Sequence, residues 1–245
     1  MSCVLSIYLR DGIVMAADSR ILYTTQQHSD DNTIIQVGIG QTDTASKIIV
    51  TSNNVGISYF GVPEVAGAPL SYHVEKCVNE RLSNRDLKVR DIAQIMLEYF
   101  REQPGDPDVG FHISGYDYTP DGNSISSIWN AHTQSESMMH LNADGLPGIS
   151  WSGEGDILAR LIGPCGKPDA DDNYLPLPTY DIPIHLFTLA DAVEFAEFAI
   201  RTTAETMRYQ ARMKTVGGPI DILVITRQQA YWAKKKNTFN NGFTG

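Results

Sequence analysis

Cysteine is scarce in this chain, and the little there is forms no framework: Cys3, Cys77 and Cys165 make an odd set with no CxxC and no Cys/His cluster at metal-ligand spacing. These absences argue against a disulfide scaffold and against a structural zinc site. Basic residues are in deficit, with 19 Lys and Arg against 29 Asp and Glu, for a formal charge of −10. That sign argues against a duty based on non-specific binding to nucleic acid or to an anionic membrane. The N-terminal apolar run is broken by Arg10 and Asp11, and no basic segment precedes it. Neither a signal peptide nor a membrane span is expected there, and a cytoplasmic protein is. The common catalytic signatures are missing too. There is no HExxH, GxxxxGK[ST] or GxSxG, and Gly38-Ile39-Gly40 lacks the third glycine of a dinucleotide loop.

What is present suffices for a substantial core. Of 245 residues, 42% are hydrophobic and 20% charged, which excludes disorder as a description of the whole chain and suits one large domain or two small ones. Short β-prone runs from Val4 to Leu9 and from Ile13 to Ala17 flank Arg10-Asp11-Gly12, and Asp-Gly between such runs is a strong hairpin signal. A polar stretch over 23–44 separates this hairpin from a second one, Lys47–Thr51 with Val55–Phe60, turned at Asn53-Asn54. At that length the stretch reads as an inserted loop, mobile or functional. Leu70, Val74, Cys77, Val78 and Leu82 recur at helical spacing, and so do Val89, Ile92, Ile95, Met96, Tyr99 and Phe100.

Pro104-Gly105-Asp106-Pro107 ends the second of these helices, and a third hairpin is expected over Val109–Asp117 and Ile125–Asn130. A short helix over Gly155–Leu161 and a surface loop over Pro164–Pro183 follow. Thr188 and Asp191 frame a capping box for a long helix striped by Leu189, Val193, Ala196, Ile200, Ala204 and Met207. Gly217-Gly218-Pro219 breaks it, and Ile220–Thr226 reads as a strand buried on both faces. Locally paired strands with helices grouped between them imply an α+β fold of antiparallel sheets under helix layers. Residues 1–230 are read as one domain, and 231–245, with its Lys234-Lys235-Lys236 run, as a flexible polar tail.

The chemistry concentrates near the N-terminus. The run Asp11-Gly12-Ile13-Val14-Met15-Ala16-Ala17-Asp18-Ser19-Arg20, followed by Lys47-Ile48-Ile49-Val50 and Ser58-Tyr59-Phe60-Gly61, resembles the proteasome β-subunit family of N-terminal-nucleophile hydrolases. That family includes the bacterial ring proteases HslV and Anbu. Its first-residue nucleophile precedes the turn glycine and the Ala-Ala-Asp-Ser-Arg run at fixed distance, and counting back from Gly12 and Asp18 lands on Ser2, exposed by removal of Met1. The family lysine stands fourteen residues before an oxyanion-hole glycine, as Lys47 does before Gly61. Gly115-Tyr116-Asp117, the long helix, the double glycine and the last apolar strand fall in family order, and Thr215–Pro219 looks most like Anbu-type chains. The resemblance is strongest over 2–61, moderate over 62–130 and 150–226, and absent from the tail.

The resemblance implies a four-layer α/β/β/α sandwich acting as a threonine-protease-like peptidase on peptides or unfolded protein, without metal or cofactor. It also implies a homo-oligomeric ring or helical assembly, with an ATPase as a partner. Ser2 would be both nucleophile and base, because a hydroxyl needs an adjacent base and a free α-amine titrates at roughly 7.7–8.0. The Lys47 ammonium would favour the alkoxide and lower the α-amine pKa, Asp18 would pair with Lys47, and the Gly61 N–H would stabilise the oxyanion. Ile21 and Tyr59 would border the substrate pocket, with Tyr59 at its floor favouring small or polar side chains.

The chain departs from the family at several positions. Ser replaces the usual Thr, and the segment between Asp18 and Lys47 is longer than usual. Glu154, in Gly153-Glu154-Gly155, stands where the family places a serine near the α-amine; a carboxylate there would accept from the α-ammonium and raise its pKa. Met213 stands where a second acidic residue is expected. Cys3 lies on the opposite strand face from Ser2 and is not expected to be the nucleophile. Two alternatives therefore stand: an amidase or acyl-transfer enzyme acting on a small amide, and an inactive assembly subunit, which Glu154 and Met213 would suit.

Overall fold

The computed structural model describes residues 2–28, 34–83, 85–171 and 173–236. The first hairpin forms as the sequence predicts: β1 (Cys3–Tyr8) and β2 (Ile13–Ala17) pair antiparallel from Val4↔Ala17 to Tyr8↔Ile13. Its turn closes through Leu9 N–H donating to the Gly12 carbonyl at 2.9 Å. A Cβ at Gly12 would lie 2.9 Å from the Ile225 carbonyl oxygen, so no larger residue fits that corner.

The 23–44 segment is not the loop that its polarity suggests. β3 (Ile21–His28) and β4 (Ile34–Thr42) pair along it as a separate antiparallel ribbon, with a register shift between Tyr23 and Thr24. A two-stranded ribbon outside the main sheets needs no apolar face, so period-two patterning is missing where the ladder nevertheless forms. The turn at 29–33 lies outside the described residues. The second hairpin is β5 (Ile48–Val50) with β6 (Gly56–Gly61), turned where Asn54 adopts a φ of 58°.

After a small pair, β7 (Glu64–Val65) and β8 (Ala68–Pro69), comes α1 (Leu70–Cys77). The periodic run to Leu82 is completed not by α-helix but by a π-helical turn over Val78–Leu82, in which Ser83 N–H bonds back to the Val78 carbonyl. Then follow α2 (Val89–Arg101), the long hairpin β9 (Val109–Tyr118) and β10 (Ser124–His132), β11 (Met139–His140), β12 (Gly148–Gly153) and α3 (Asp156–Ile162). Within the expected 164–183 loop a miniature hairpin forms, β13 (Gly166–Pro168) with β14 (Tyr174–Pro176).

α4 (Leu189–Arg208) starts at the predicted capping box, with Thr188 Oγ1 accepting from Asp191 N–H and the Asp191 carboxylate accepting from Thr188 N–H. The chain then forms β15 (Asp221–Ile225) and β16 (Ala230–Lys234), which pair antiparallel. The tail expected from 231 is therefore corrected: 231–234 belong to a sheet-edge strand, and only 237–245 lie outside the described residues. An edge strand can be polar, because one side of its ladder and much of its surface face water.

The architecture is α+β. Two five-stranded antiparallel sheets have the orders β12-β1-β2-β15-β16 and β11-β10-β9-β6-β5. Alternate residues of β1 and β2 serve different cores, which explains why both strands read as continuous apolar runs. Val4, Ile13 and Met15 pack with Leu223 and Ile225 against Ile48, Phe60 and Ile128 of the other sheet. Cys3, Leu5, Ile7, Val14 and Ala16 pack instead with Leu158, Ala196, Ile200 and Met207 of α3 and α4. A third core joins Ile57, Tyr59, Phe111 and Ile113 to Val74 of α1 and to Ile92, Met96 and Phe100 of α2.

One polar cluster bridges the sheets. His112 of β9 bonds Ser6 of β1 through Nδ1 at 3.1 Å and Ser152 of β12 through Nε2 at 2.9 Å, and Asn130 Nδ2 donates to Ser152 Oγ at 3.1 Å. His112 is fully buried, and burial lowers its pKa to about 4. No described helix is long and apolar enough to cross a membrane.

Candidate active site

The residues singled out in the sequence converge at one end of the two sheets. Ser2 immediately precedes β1 and is 6% exposed. Its carbonyl accepts from Glu154 N–H at 2.8 Å. Gly153, at φ 86°, passes so close that a Cβ there would lie 1.8 Å from the same carbonyl oxygen, so a glycine is obligatory beside Ser2.

Asp18 lies where β2 ends, almost wholly buried, and its carboxylate accepts from four donors. Oδ1 takes Cys3 N–H at 3.0 Å and Lys47 Nζ at 2.8 Å; Oδ2 takes Arg20 N–H at 3.1 Å and Gly217 N–H at 3.0 Å. This set of donors satisfies a carboxylate far from water. Lys47, just before β5, is 2% exposed and donates also to the Arg20 carbonyl. Burial pulls its pKa below the ordinary lysine value, Asp18 opposes that pull, and the nearby Lys236 charge adds to it.

Gly61 ends β6 at φ 129°, and a Cβ there would lie 2.2 Å from the Asp108 carbonyl oxygen. Tyr59, two residues earlier on the strand, is 3% exposed, takes its backbone N–H to the Lys47 carbonyl at 3.1 Å and donates its hydroxyl to the Ser46 carbonyl. Burial raises the phenol pKa, so it stays protonated and donating. Ser2, Ile21, Lys47, Tyr59 and Gly61 line one cavity of about 20 Å³ together with Val62, Pro63 and Leu70. All the positions proposed for nucleophile, lysine, oxyanion glycine and substrate pocket are thus brought to one place.

A wider hollow of about 310 Å³ adjoins this cavity across Gly61-Val62-Pro63 and is walled by Leu22, Thr24, Asp108, Met213 and Thr215. Met213, aligned with a missing acid, faces this hollow. A larger hollow, about 630 Å³, lies elsewhere, between α4 and the 214–220 segment; it reaches Asp18 but neither Ser2 nor Lys47. We therefore place the site at the smaller cavity, where the chemistry converges.

Glu154 is held by residues of the turn after α4. Its carboxylate accepts from Thr215 Oγ1 at 2.8 Å and faces Arg212 Nη1 at 3.5 Å, while Arg212 Nη2 reaches Asp156 at 3.1 Å. Each carboxylate oxygen therefore has a partner, a guanidinium for one and a hydroxyl for the other. Arg212 and Thr215 were missed in the sequence because each is an ordinary surface residue type, brought here only by the turn after α4. The Cys3 thiol is fully buried on the α4 side, and burial raises its pKa, which leaves it protonated and unreactive. Among the described residues no three His, Cys, Asp or Glu side chains cluster as a metal site. A scan against protein-family models finds no match, and a comparison with curated proteins finds no similar sequence.

Proposed function

We propose that the chain is a proteasome-like peptidase with the four-layer α/β/β/α sandwich of N-terminal-nucleophile hydrolases. Ser2, freed by loss of Met1, is the nucleophile. The observation that carries this reading is the buried Asp18–Lys47 pair, held at 2.8 Å and opening on the cavity that Ser2 also lines. A buried cation costs folding energy, and its presence at the cavity that Ser2 also lines is accounted for by activation of the Ser2 hydroxyl.

In the reaction, Ser2 Oγ attacks the substrate carbonyl carbon while its proton passes to the Ser2 α-amine. The carbonyl π electrons move onto oxygen, and the resulting oxyanion is assigned to the backbone N–H at Gly61. Collapse breaks the C–N bond, and the α-ammonium returns the proton to the departing amine. Water, deprotonated by the same α-amine, then hydrolyses the ester and regenerates Ser2. The Lys47 charge disfavours a proton on the α-amine and stabilises the developing alkoxide.

Two features support a peptide over a small amide. The cavity by Tyr59 has room for little more than one water, which suits a small side chain, whereas the adjoining 310 Å³ hollow offers length for an extended chain. The exposed side chains of Tyr174, Leu177, Tyr180 and Leu186, between α3 and α4, support self-assembly, and an ATPase is the partner that would deliver unfolded protein to such an assembly. The test is covalent: a peptide epoxyketone should add to Ser2, read by mass spectrometry of the N-terminal peptide, and stop turnover of fluorogenic peptide amides. Unmodified Ser2 in a protein that still cleaves peptides would sink the assignment, and cleavage of small acyl amides alone would shift it to an amidase.

A further inference from the structure

The residue that follows β16 by two positions has partners that its place in a polar terminus does not suggest. Lys236 Nζ is nearly buried and donates to Asp221 Oδ2 at 2.5 Å, to Ser19 Oγ at 2.8 Å and to the Ala45 carbonyl at 2.7 Å. Its backbone N–H also donates to Asp221 Oδ1, at 2.8 Å. The partners sit beside the site. Ser19 follows Asp18, Ala45 lies two residues before Lys47, and Asp221 pairs with Ala17 across β15 and β2. The Ser19 carbonyl itself accepts from Ala45 N–H at 3.1 Å, so the two segments already touch where the ammonium bridges them.

We propose that Lys236 is a positioning residue for the Asp18–Lys47 pair, a buried clamp that joins the segment carrying Asp18 to the segment carrying Lys47 and so fixes Lys47 at the Ser2 cavity. Stability alone is a weak reason for this arrangement, since a buried ion pair can be replaced by packed apolar side chains at little or no cost. An apolar pair, however, would have no directional donors, and three partners from three separate segments are what the ammonium holds. Its charge also bears on the site. The groups facing Lys47 are Asp18, the Cys3 thiol and Lys236, while Arg20 close by is committed to Asp43 at 2.7 Å. Of these, Lys236 pushes Lys47 toward the neutral form, so its removal should raise the Lys47 pKa.

The catalytic consequence rests on the peptidase reading, whereas the clamp itself does not. Three full-length variants test it: Lys236→Met, Lys236→Arg, and Lys236→Met with Asp221→Asn, which leaves no buried carboxylate unpaired if the single Met variant fails to fold. The Lys47 ammonium is titrated by NMR, which needs no substrate, and peptide turnover is measured alongside. In Lys236→Met the Lys47 midpoint should rise, in both Met variants kcat should fall at least tenfold with KM within twofold, and Arg should recover part of each change. A folded single variant whose Lys47 midpoint and kcat match the parent, or a folded double variant whose kcat does, would reduce Lys236 to a structural ion pair and overturn the proposal. A parent protein inert toward peptides would instead refute the peptidase reading, and the Lys47 titration would still decide the clamp.

Discussion

Asp18 shows how a single side chain can hold a site together. Three of its four donors are backbone N–H groups, from Cys3, Arg20 and Gly217, so the carboxylate is fixed by three chain segments before Lys47 contributes anything. Lys47→Ala should therefore do two things at once. It should abolish peptide turnover, and it should cost about 3–5 kcal/mol in urea unfolding by leaving a buried carboxylate short of its counter-ion. Adding Asp18→Asn should restore neither, because an amide NH2 would face a backbone N–H at whichever oxygen it replaced; recovery of activity would show that the ammonium is not needed. Ser2→Ala removes only a hydroxyl beside a cavity, so full loss of turnover should come with a stability change of about 1 kcal/mol or less. Gly61→Ala belongs to a different class. A Cβ at φ 129° and 2.2 Å from the Asp108 carbonyl must displace backbone, and the strain should cost about 1–3 kcal/mol as well as activity.

Between elements, the most informative contact is the His112 cluster, which ties β9 and β10 of one sheet to β1 and β12 of the other. His112 titrates at about 4 when folded, against roughly 6.5 in an unfolded chain. In that window the unfolded state binds a proton that the folded state refuses, so stability is highest above pH 6.5 and declines as the pH falls toward 4. A gap of this size corresponds to about 3 kcal/mol. Urea midpoints compared at pH 7.5 and 4.5 should show the loss, and His112→Gln should flatten it; an unchanged slope in that variant would move the acid sensitivity to other groups. The same elements show what their residues could announce. β1, β2 and α4 were legible because burial on two faces, an Asp-Gly turn and a capping box each leave a local pattern. The β3–β4 ribbon and β16 were not, since strands with little core contact owe their form to backbone pairing, which composition does not record. The π-turn after α1 keeps its apolar residues near helical spacing and is equally silent.

For the molecule as a whole, the candidate site was readable wherever it depended on spacing along one chain segment and unreadable where it depended on segments meeting. Ser2, Asp18, Lys47 and Gly61 belong to the first kind. Arg212, Thr215 and Lys236 belong to the second, brought to the site by the turn after α4 and by the run beyond β16. Assembly is a question of this second kind. Tyr174, Leu177, Tyr180 and Leu186 are all exposed, Tyr180 to 92%, and all fall in the segment between α3 and α4. Large apolar side chains concentrated on one surface segment are more often covered by a partner than left in water, and a second copy is the partner that the proposed peptidase would need. Native mass spectrometry should then find a multiple of the chain from which Met1 has been removed, because a retained methionine would occupy the amine that the proposed reaction needs as its base. Tyr180→Asp should shift that population toward single chains while leaving Ser2 reactive toward the epoxyketone, since Tyr180 contributes nothing to the walls of the Ser2 cavity. If the variant instead kept the parent's mass, the exposed segment would have to face outward from the assembly and the contact between copies would lie on another surface.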